Sequence, residues 1–532
     1  LSMERALNNH LDRQKIYQEI KKIYHCSETK IAVSIIQHQH TTFEFYIYSS
    51  LLEIKWPSLI YFSVFLRKTF VEKIMNNHKN YLDILRRCSD SASFYQASIF
   101  MQEEESDALK KDYEKHIIYK SVFSVVGPVM LSYVLWVLRE ALKSGMKTLF
   151  FLARDGNIMK ELAELLIEKY HLDFQCHYLY VSRYSLRKAL FIVAPEEIWE
   201  YLRRYSLKVT PELVLERSGL TKEVQQELLR DLGFQYPEQS TKLLTPKELI
   251  KFTNMLQMSE RFQNEMTQNA LEQNQLIFQY FKEQGLTTDQ KALLVDSGWT
   301  GSMQRCIRQL LSFNGCTTML EGYYFGIQSK TKKEDGFYHS FYFDYRDARR
   351  YVLFNNNLFE CWCMADHGMT VGYQKGLHGI VPVLKEASQN WHQEFQSDLL
   401  KMYTTYFMRF QENFFSVPFE SLPQLAEPLL VQFMMYPNKD EAFVYGRIPF
   451  CDDTTEAYMQ PLAARLSRYD LFCNLTVVKS INKALKFIRQ LTIKESGWRE
   501  GTISLLPQPL ALIMQMDSQI SYAVKIIAAH IR

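Results

Sequence analysis

The sequence predicts an α/β fold, a Rossmann-like and mostly parallel sheet with a helical insertion and helical N- and C-terminal regions. Three observations carry that expectation. Short apolar runs near 147–153, 176–181, 291–295 and 320–327 have the length and content of strands buried on both faces. Helical spacing lies between them, and an alternation of helix and strand signals a parallel sheet, because parallel neighbours need a crossover connection. From about 190 to 285 the pattern is almost wholly helical, too long for an ordinary connection and therefore an insertion.

The elements follow in order. Residues 1–114 mix helical patterns with aromatic segments, of which Phe43-Glu44-Phe45-Tyr46-Ile47-Tyr48 alternates like a strand or is an irregular buried piece. Residues 121–138 carry no charge, the lower limit for a membrane span, yet Gly127-Pro128 interrupts them and Ser124 and Ser132 dilute them. A buried core helix is expected there, with no integral membrane span. Gly145 ends this helix, residues 147–153 form the first strand, and Asp155-Gly156-Asn157 turn the chain into a helix over 158–170. The second strand is 176–181. In the insertion, Thr210-Pro211-Glu212 and Thr245-Pro246-Lys247-Glu248 each pair a capping threonine with a first-turn proline. The sheet resumes at 291–295, turns through 296–302, and enters a helix over 303–311 before the strand at 320–327. The α/β core is thus placed at 115–385, and 386–532 is read as a helical region ending in an apolar helix over 520–531.

Composition limits the functions on offer. The 532 residues are 47% hydrophobic, enough for one large or several ordinary cores. Lys+Arg 62 against Asp+Glu 59 leaves a net +3, too balanced for nucleic acid or an anionic membrane as the main partner. The nine cysteines include no Cys-x-x-Cys pair, which argues against a disulfide framework and a zinc module and fits a reducing cytoplasm. Leu1-Ser2-Met3-Glu4-Arg5 lacks the basic and apolar pattern of a secretory signal. Neither a Walker loop, a Gly-x-Ser-x-Gly elbow nor a His-Glu-x-x-His helix occurs.

Chemistry is expected at strand ends, where loops converge and helix N-termini offer unpaired N–H groups. Asp155 and Asp296 both fall there. Two acids so placed either hold a hydrated magnesium ion and a phosphate, the metal cancelling their repulsion, or merely cap helices. Around them Arg154, Gly156 and Asn157, and Ser297, Gly298, Trp299, Thr300, Gly301 and Ser302, supply small residues and backbone donors for a phosphorylated ligand. Trp299 either stacks on a sugar or base or packs the turn. Arg183, Arg187 and Lys188 reach a phosphate or polyanionic glycan, or form an ordinary solvated helix start. Asp366 and His367 are candidates to line the pocket, whereas the segment Glu360-Cys361-Trp362-Cys363 holds metal-capable side chains but, with one nearby histidine, lacks a second pair at zinc spacing.

Two local resemblances give these residues roles. The spacing from Asp296 to Thr300-Gly301 is similar to the diphosphosugar loop of phosphoribosyltransferases, with Ala153-Arg154-Asp155-Gly156 as its pyrophosphate loop; Val295 stands where that family has a first acid, and Trp299 replaces a small or acidic residue. The order of parts also resembles haloacid-dehalogenase-like phosphatases. There Asp155 would be the nucleophile, Ser182 the phosphate-holding hydroxyl, Arg183 or Lys188 the cation and Asp296 the metal-site acid. Asn157 occupies the place of that family's general acid and cannot carry its proton.

Taken together, Val126-Gly127-Pro128, Leu149-Phe150-Phe151-Leu152-Ala153-Arg154-Asp155-Gly156, Tyr178-Leu179-Tyr180-Val181-Ser182-Arg183, Leu294-Val295-Asp296-Ser297-Gly298-Trp299-Thr300-Gly301-Ser302, Gly322-Tyr323-Tyr324-Phe325-Gly326 and Ala365-Asp366-His367-Gly368 resemble a bacterial family of predicted haloacid-dehalogenase-like hydrolases from surface-polysaccharide gene clusters. The resemblance covers about residues 115–380. Members often begin with an Asp-x-Phe-Asp-Thr-like motif, and the corresponding region here, 31–45, holds no aspartate. The resemblance implies an enzyme of cell-surface polysaccharide biosynthesis, acting on a phosphorylated sugar or sugar diphosphate with magnesium at the strand-end aspartates. The alternatives are a phosphoribosyltransferase-like transferase and, given Asn157 and Val295, a noncatalytic scaffold for glycosyltransferases.

Overall fold

A computed structural model describes residues 32–37, 43–48, 81–87, 92–204, 209–235, 238–387, 391–451, 459–485 and 494–531. The chain divides into two compact units, one made of 80–514 and the other of 1–79 with 515–532. In the second unit, Ala32–Gln37 pairs antiparallel with Phe43–Tyr48, so the aromatic alternation at 43–48 is a strand. The helix Leu510–Ile531 includes the apolar helix expected at 520–531.

The larger unit holds the sheet. Its relevant elements are α1 (Gly127–Ser144), β1 (Thr148–Leu152), α2 (Gly156–Tyr170), β2 (Gln175–Leu179), α3 (Arg183–Leu190), α4 (Glu260–Glu283), β3 (Lys291–Trp299), α5 (Ser302–Phe313), β4 (Met319–Ile327), β5 (Phe337–Phe343), α6 (Asn356–Cys363) and β6 (Thr370–Lys375). Five strands pair in the order β2-β1-β3-β4-β5, every pair parallel. Side-chain alternation along a strand feeds two cores. Leu149, Phe151, Leu293 and Val295 enter one with α1, α2 and α6, while Phe150, Leu152, Ala292 and Leu294 enter the other with α3, α4 and α5. The near-continuous apolar runs in the sequence reflect this burial on both faces.

The helical insertion is as expected. Thr210 accepts from the Leu213 backbone N–H, and Thr245 forms a reciprocal capping box with Glu248, each ahead of a first-turn proline. Gly145 ends α1 with φ 71°. Between Val122 and Val126 the chain makes a π-helical turn before Gly127-Pro128, which absorbs the missing proline N–H without ending the helical run. That run, Tyr113–Ser144, is long and apolar enough to cross a membrane, but 94% of its most apolar window is buried inside the protein. Helices Trp391–Phe410 and Leu422–Met435 help cover it, through Tyr403, Phe407, Leu429 and Phe433 of the same core.

The edge strand β5 and the antiparallel pair of β6 with Ile380–Leu384 have no counterpart in the sequence reading, and β3 differs from it in extent. The strand expected to stop at Val295 runs on to Trp299, because Asp296, Gly298 and Trp299 pair with Tyr324, Gly326 and Ile327 of β4. Gly298, with φ 134°, lets the Gly326 carbonyl come to 2.1 Å from where a Cβ would stand. Residues that signal a turn in sequence therefore serve here as a close strand-to-strand contact, and only Thr300 and Gly301 separate β3 from α5.

Candidate functional site at the switch point of the sheet

Strands β1 and β3 are neighbours, yet β1 leads into α2 in one core and β3 into α5 in the other. Where adjacent strands send their chains to opposite faces, a crevice opens at their carboxyl ends. Asp155 follows β1 and Asp296 lies in the C-terminal half of β3, so the topology brings together the two acids singled out in sequence.

Neither acid caps a helix with its side chain. Asp155 has helical backbone angles and makes no side-chain capping bond to α2, and Asp296 is inside a strand. Instead the Ser297 hydroxyl donates to Asp155 Oδ2 in a short hydrogen bond. Asp296 is 7% exposed and Ser297 2%. Burial, followed by the charge of Asp155, holds the Asp296 carboxyl well above the usual carboxylate range. Asp155 is raised as well, by burial, with the Ser297 hydroxyl and then Arg154 and Arg183 pulling the other way. The two arginines are thus the positive charges that face the acids.

A third acid completes the group. Glu360 on α6 accepts from Trp299 Nε1 at 2.7 Å, and burial followed by the Asp155 charge pushes its carboxyl up to about 7. Nothing in the sequence reading placed it here. The available signal was that Glu360 is the single charged residue of Asn356–Cys363, an otherwise apolar and amide helix. Trp299, which either stacks on a ligand or packs the turn in the sequence reading, does the second: it lies against Phe343, Phe354 and Phe359 and orients Glu360 through its ring nitrogen.

The remaining candidates divide. His367 accepts from or donates to the Tyr178 hydroxyl at 2.7 Å through Nε2, and its Nδ1 meets the Gly368 carbonyl at 2.9 Å. Because a carbonyl only accepts, Nδ1 carries the proton and Nε2 of the neutral ring accepts from Tyr178. Asp366, exposed, lies within electrostatic reach of Tyr178, as do Asp155 and Arg154, which joins this group to the acids. Gly156 permits α2 to start against β1, where a Cβ would sit 3.0 Å from the Phe151 backbone. Asn157 turns away and donates to Glu161 Oε1 at 3.1 Å. The Ser182 hydroxyl is committed to the Thr370 carbonyl at 2.6 Å and to capping α3. Gly301 caps α5 with φ 69° and its carbonyl accepts from Tyr338, Ser302 begins that helix, and Thr300 is exposed beside them. The backbone at Gly298 and Trp299 is paired with β4, which leaves two residues rather than an open loop to cradle a phosphoribosyl 5-phosphate.

The acids give a pH dependence whose sign follows from linkage. The folded state holds the Glu360 proton up to about pH 7, against 4.5 for an ordinary glutamate, so its contribution is complete below pH 4.5 and is lost as pH rises through 7. The loss is on the order of 3 kcal/mol. Asp155 and Asp296 act in the same direction, so urea denaturation of Glu360→Gln should show a shallower decline of stability between pH 5 and 8 than the wild type. An unchanged slope would count against a proton on Glu360.

Among the described residues, no set of three or more His, Cys, Asp or Glu side chains is arranged to hold a metal ion. Magnesium asks for less, one or two carboxylates with water and phosphate oxygens, and Asp155 with Asp296 meets that demand. Their mutual repulsion is what a cation between them would relieve. No protein-family model matches this chain, and no curated protein matches it in sequence.

Proposed function

We propose that this protein is an enzyme of bacterial cell-surface polysaccharide biosynthesis that acts in the cytoplasm on a phosphorylated sugar or sugar diphosphate, in a hydrolase-like reaction. The observation that carries the reading is the meeting of Asp155 and Asp296 at the β1/β3 switch point, with neither side chain used as a helix cap. The family resemblance around those residues supplies the substrate class and the setting.

The geometry is consistent with the following roles. Ser297 occupies Asp155 Oδ2, which leaves Oδ1 for the phosphorus. Arg154 and Arg183 face the phosphate oxygens. Bound magnesium supplies the charge that lets two carboxylates and a phosphate share one crevice. Oδ1 forms a bond to phosphorus as the bond from phosphorus to the sugar oxygen breaks, and Glu360 gives its proton to that leaving oxygen. Water then attacks the aspartyl phosphate, the Oδ1–phosphorus bond breaks, and the water proton returns to Glu360. Glu360 thereby fills the role for which Asn157 is unfit.

The test is release of inorganic phosphate from hexose 1-phosphates, hexose 6-phosphates and nucleotide diphosphate sugars with magnesium. Turnover of at least one of them is expected. No phosphate from any substrate, together with stable capture of a glycosyltransferase, would replace this reading by the scaffold alternative.

A further inference from the structure

The side of the crevice next to β2 is aromatic. Tyr178 and Tyr180, one at the end of β2 and one just beyond it, meet His367 in a cluster with ring centroids 4.9, 5.6 and 5.0 Å apart. All three are partly exposed. The rings cross at 83°, 74° and 51°, so no two form the parallel slot that a flat base would enter. The cluster is held from behind. The Tyr178 hydroxyl is bound to His367, the Tyr180 backbone N–H donates to the Tyr280 hydroxyl at 2.9 Å, and the Tyr180 carbonyl accepts from Tyr373 at 2.7 Å.

Two polar groups on this wall are unspent. Among the described residues, the Tyr180 hydroxyl has no hydrogen-bond partner and Asp366 has neither a hydrogen bond nor an ion pair. A carboxylate accepts two hydrogen bonds side by side, which matches adjacent hydroxyls of a sugar ring, while the C–H face of that ring packs on the negative face of an aromatic side chain. The wall borders the acids, since Tyr178 and Leu179 of β2 pair with Phe151 and Leu152 of β1, and the Ala153 backbone N–H, two residues before Asp155, donates to the Leu179 carbonyl at 3.0 Å.

We infer that Tyr178, Tyr180, His367 and Asp366 form the subsite that recognises the sugar ring, with Asp366 and the Tyr180 hydroxyl reading its hydroxyl groups. This rests on the reading of the acid crevice as a phosphate site. It makes the substrate a hexopyranosyl phosphate with free vicinal hydroxyls, in preference to a nucleotide bound by its base.

The experiment is titration calorimetry with magnesium present, using glucose, galactose and mannose 1-phosphates, uridine monophosphate and inorganic phosphate on the wild type, Asp366→Asn, Tyr180→Phe and Tyr180→Ala. Asp366 is exposed, and Tyr180→Phe keeps the ring, so both variants preserve the fold. At least one hexose phosphate should bind about tenfold or more tightly than inorganic phosphate. Asp366→Asn and Tyr180→Phe should each reduce that advantage while leaving the affinity for inorganic phosphate as it was, and Tyr180→Ala should abolish it. An advantage unmoved by all three variants, or tighter binding of uridine monophosphate, overturns the sugar subsite and leaves the phosphate site standing. Absence of binding by inorganic phosphate and every hexose phosphate overturns both.

Discussion

Asp155→Asn should lower turnover of the phosphorylated substrate by at least about 10,000-fold, the lower end of the losses seen when one member of a catalytic group is removed, without destabilising the protein. The two halves of that outcome come from one fact. Asp155 is held above the usual carboxylate range by burial, beside Asp296 and Glu360, so its charge costs free energy in the folded state. Asparagine has the same shape, keeps an oxygen for the Ser297 hydroxyl and removes that charge. Thermal unfolding at pH 7.5 should therefore occur at the same or a higher temperature in the variant. A structural acid would behave in the opposite way, because loss of its hydrogen bonds would lower stability. Parallel phosphate-release and thermal-unfolding assays give both readings, and retained activity would remove Asp155 from the chemistry.

Gly298→Ala should be the most damaging small substitution in the sheet, costing more than about 4 kcal/mol and leaving little folded protein. Its φ of 134° is a conformation that residues with a Cβ rarely adopt, and that Cβ would stand 2.1 Å from the Gly326 carbonyl oxygen. The obstacle is backbone of the neighbouring strand, so no rotamer change relieves it. Gly145→Ala is the control. Gly145 also has positive φ, at 71°, but its Cβ would meet open space, and about 1 kcal/mol is expected. Urea denaturation of the two variants separates steric from conformational cost. Equal, small losses would mean that β3 and β4 can part at this point without consequence.

Much of the architecture was legible because its physical causes are local. Strands buried on both faces are written as continuous apolar runs, and 148–152 and 319–327 stand out for that reason. The helix starts at Thr210 and Thr245 were equally plain, since a cap and a first-turn proline act within four residues. Asp155 and Asp296 could be marked as strand-end acids, but the strand order that makes their strands neighbours depends on packing across 142 residues of chain separation, which no local pattern encodes.

The misreadings have a common source. Glycine usually marks a turn, whereas Gly298 admits a neighbouring backbone into a strand pair. Ser182 and Asn157 carry suitable groups for phosphate, yet both spend them inside the protein, one on Thr370 and one on Glu161. In sequence Glu360 reads only as part of a weak metal-capable segment, because its partner is Trp299, 61 positions away, whose ring nitrogen needs an acceptor once buried. Tyr178 and Tyr180 read as ordinary strand residues until His367 is brought against them.

In the proposed function, the crevice between β1 and β3 binds a magnesium ion with a phosphate through Asp155 and Asp296. Thermal unfolding with magnesium and inorganic phosphate, separately and together, on the wild type and Asp296→Asn tests it most directly. Ligand at about 100 times its dissociation constant adds roughly 2.7 kcal/mol to the native state, which such an assay resolves. The account predicts stabilisation of the wild type that requires both components and is lost in Asp296→Asn. Stabilisation that persists in the variant, or none in the wild type at millimolar concentrations of both, would contradict it.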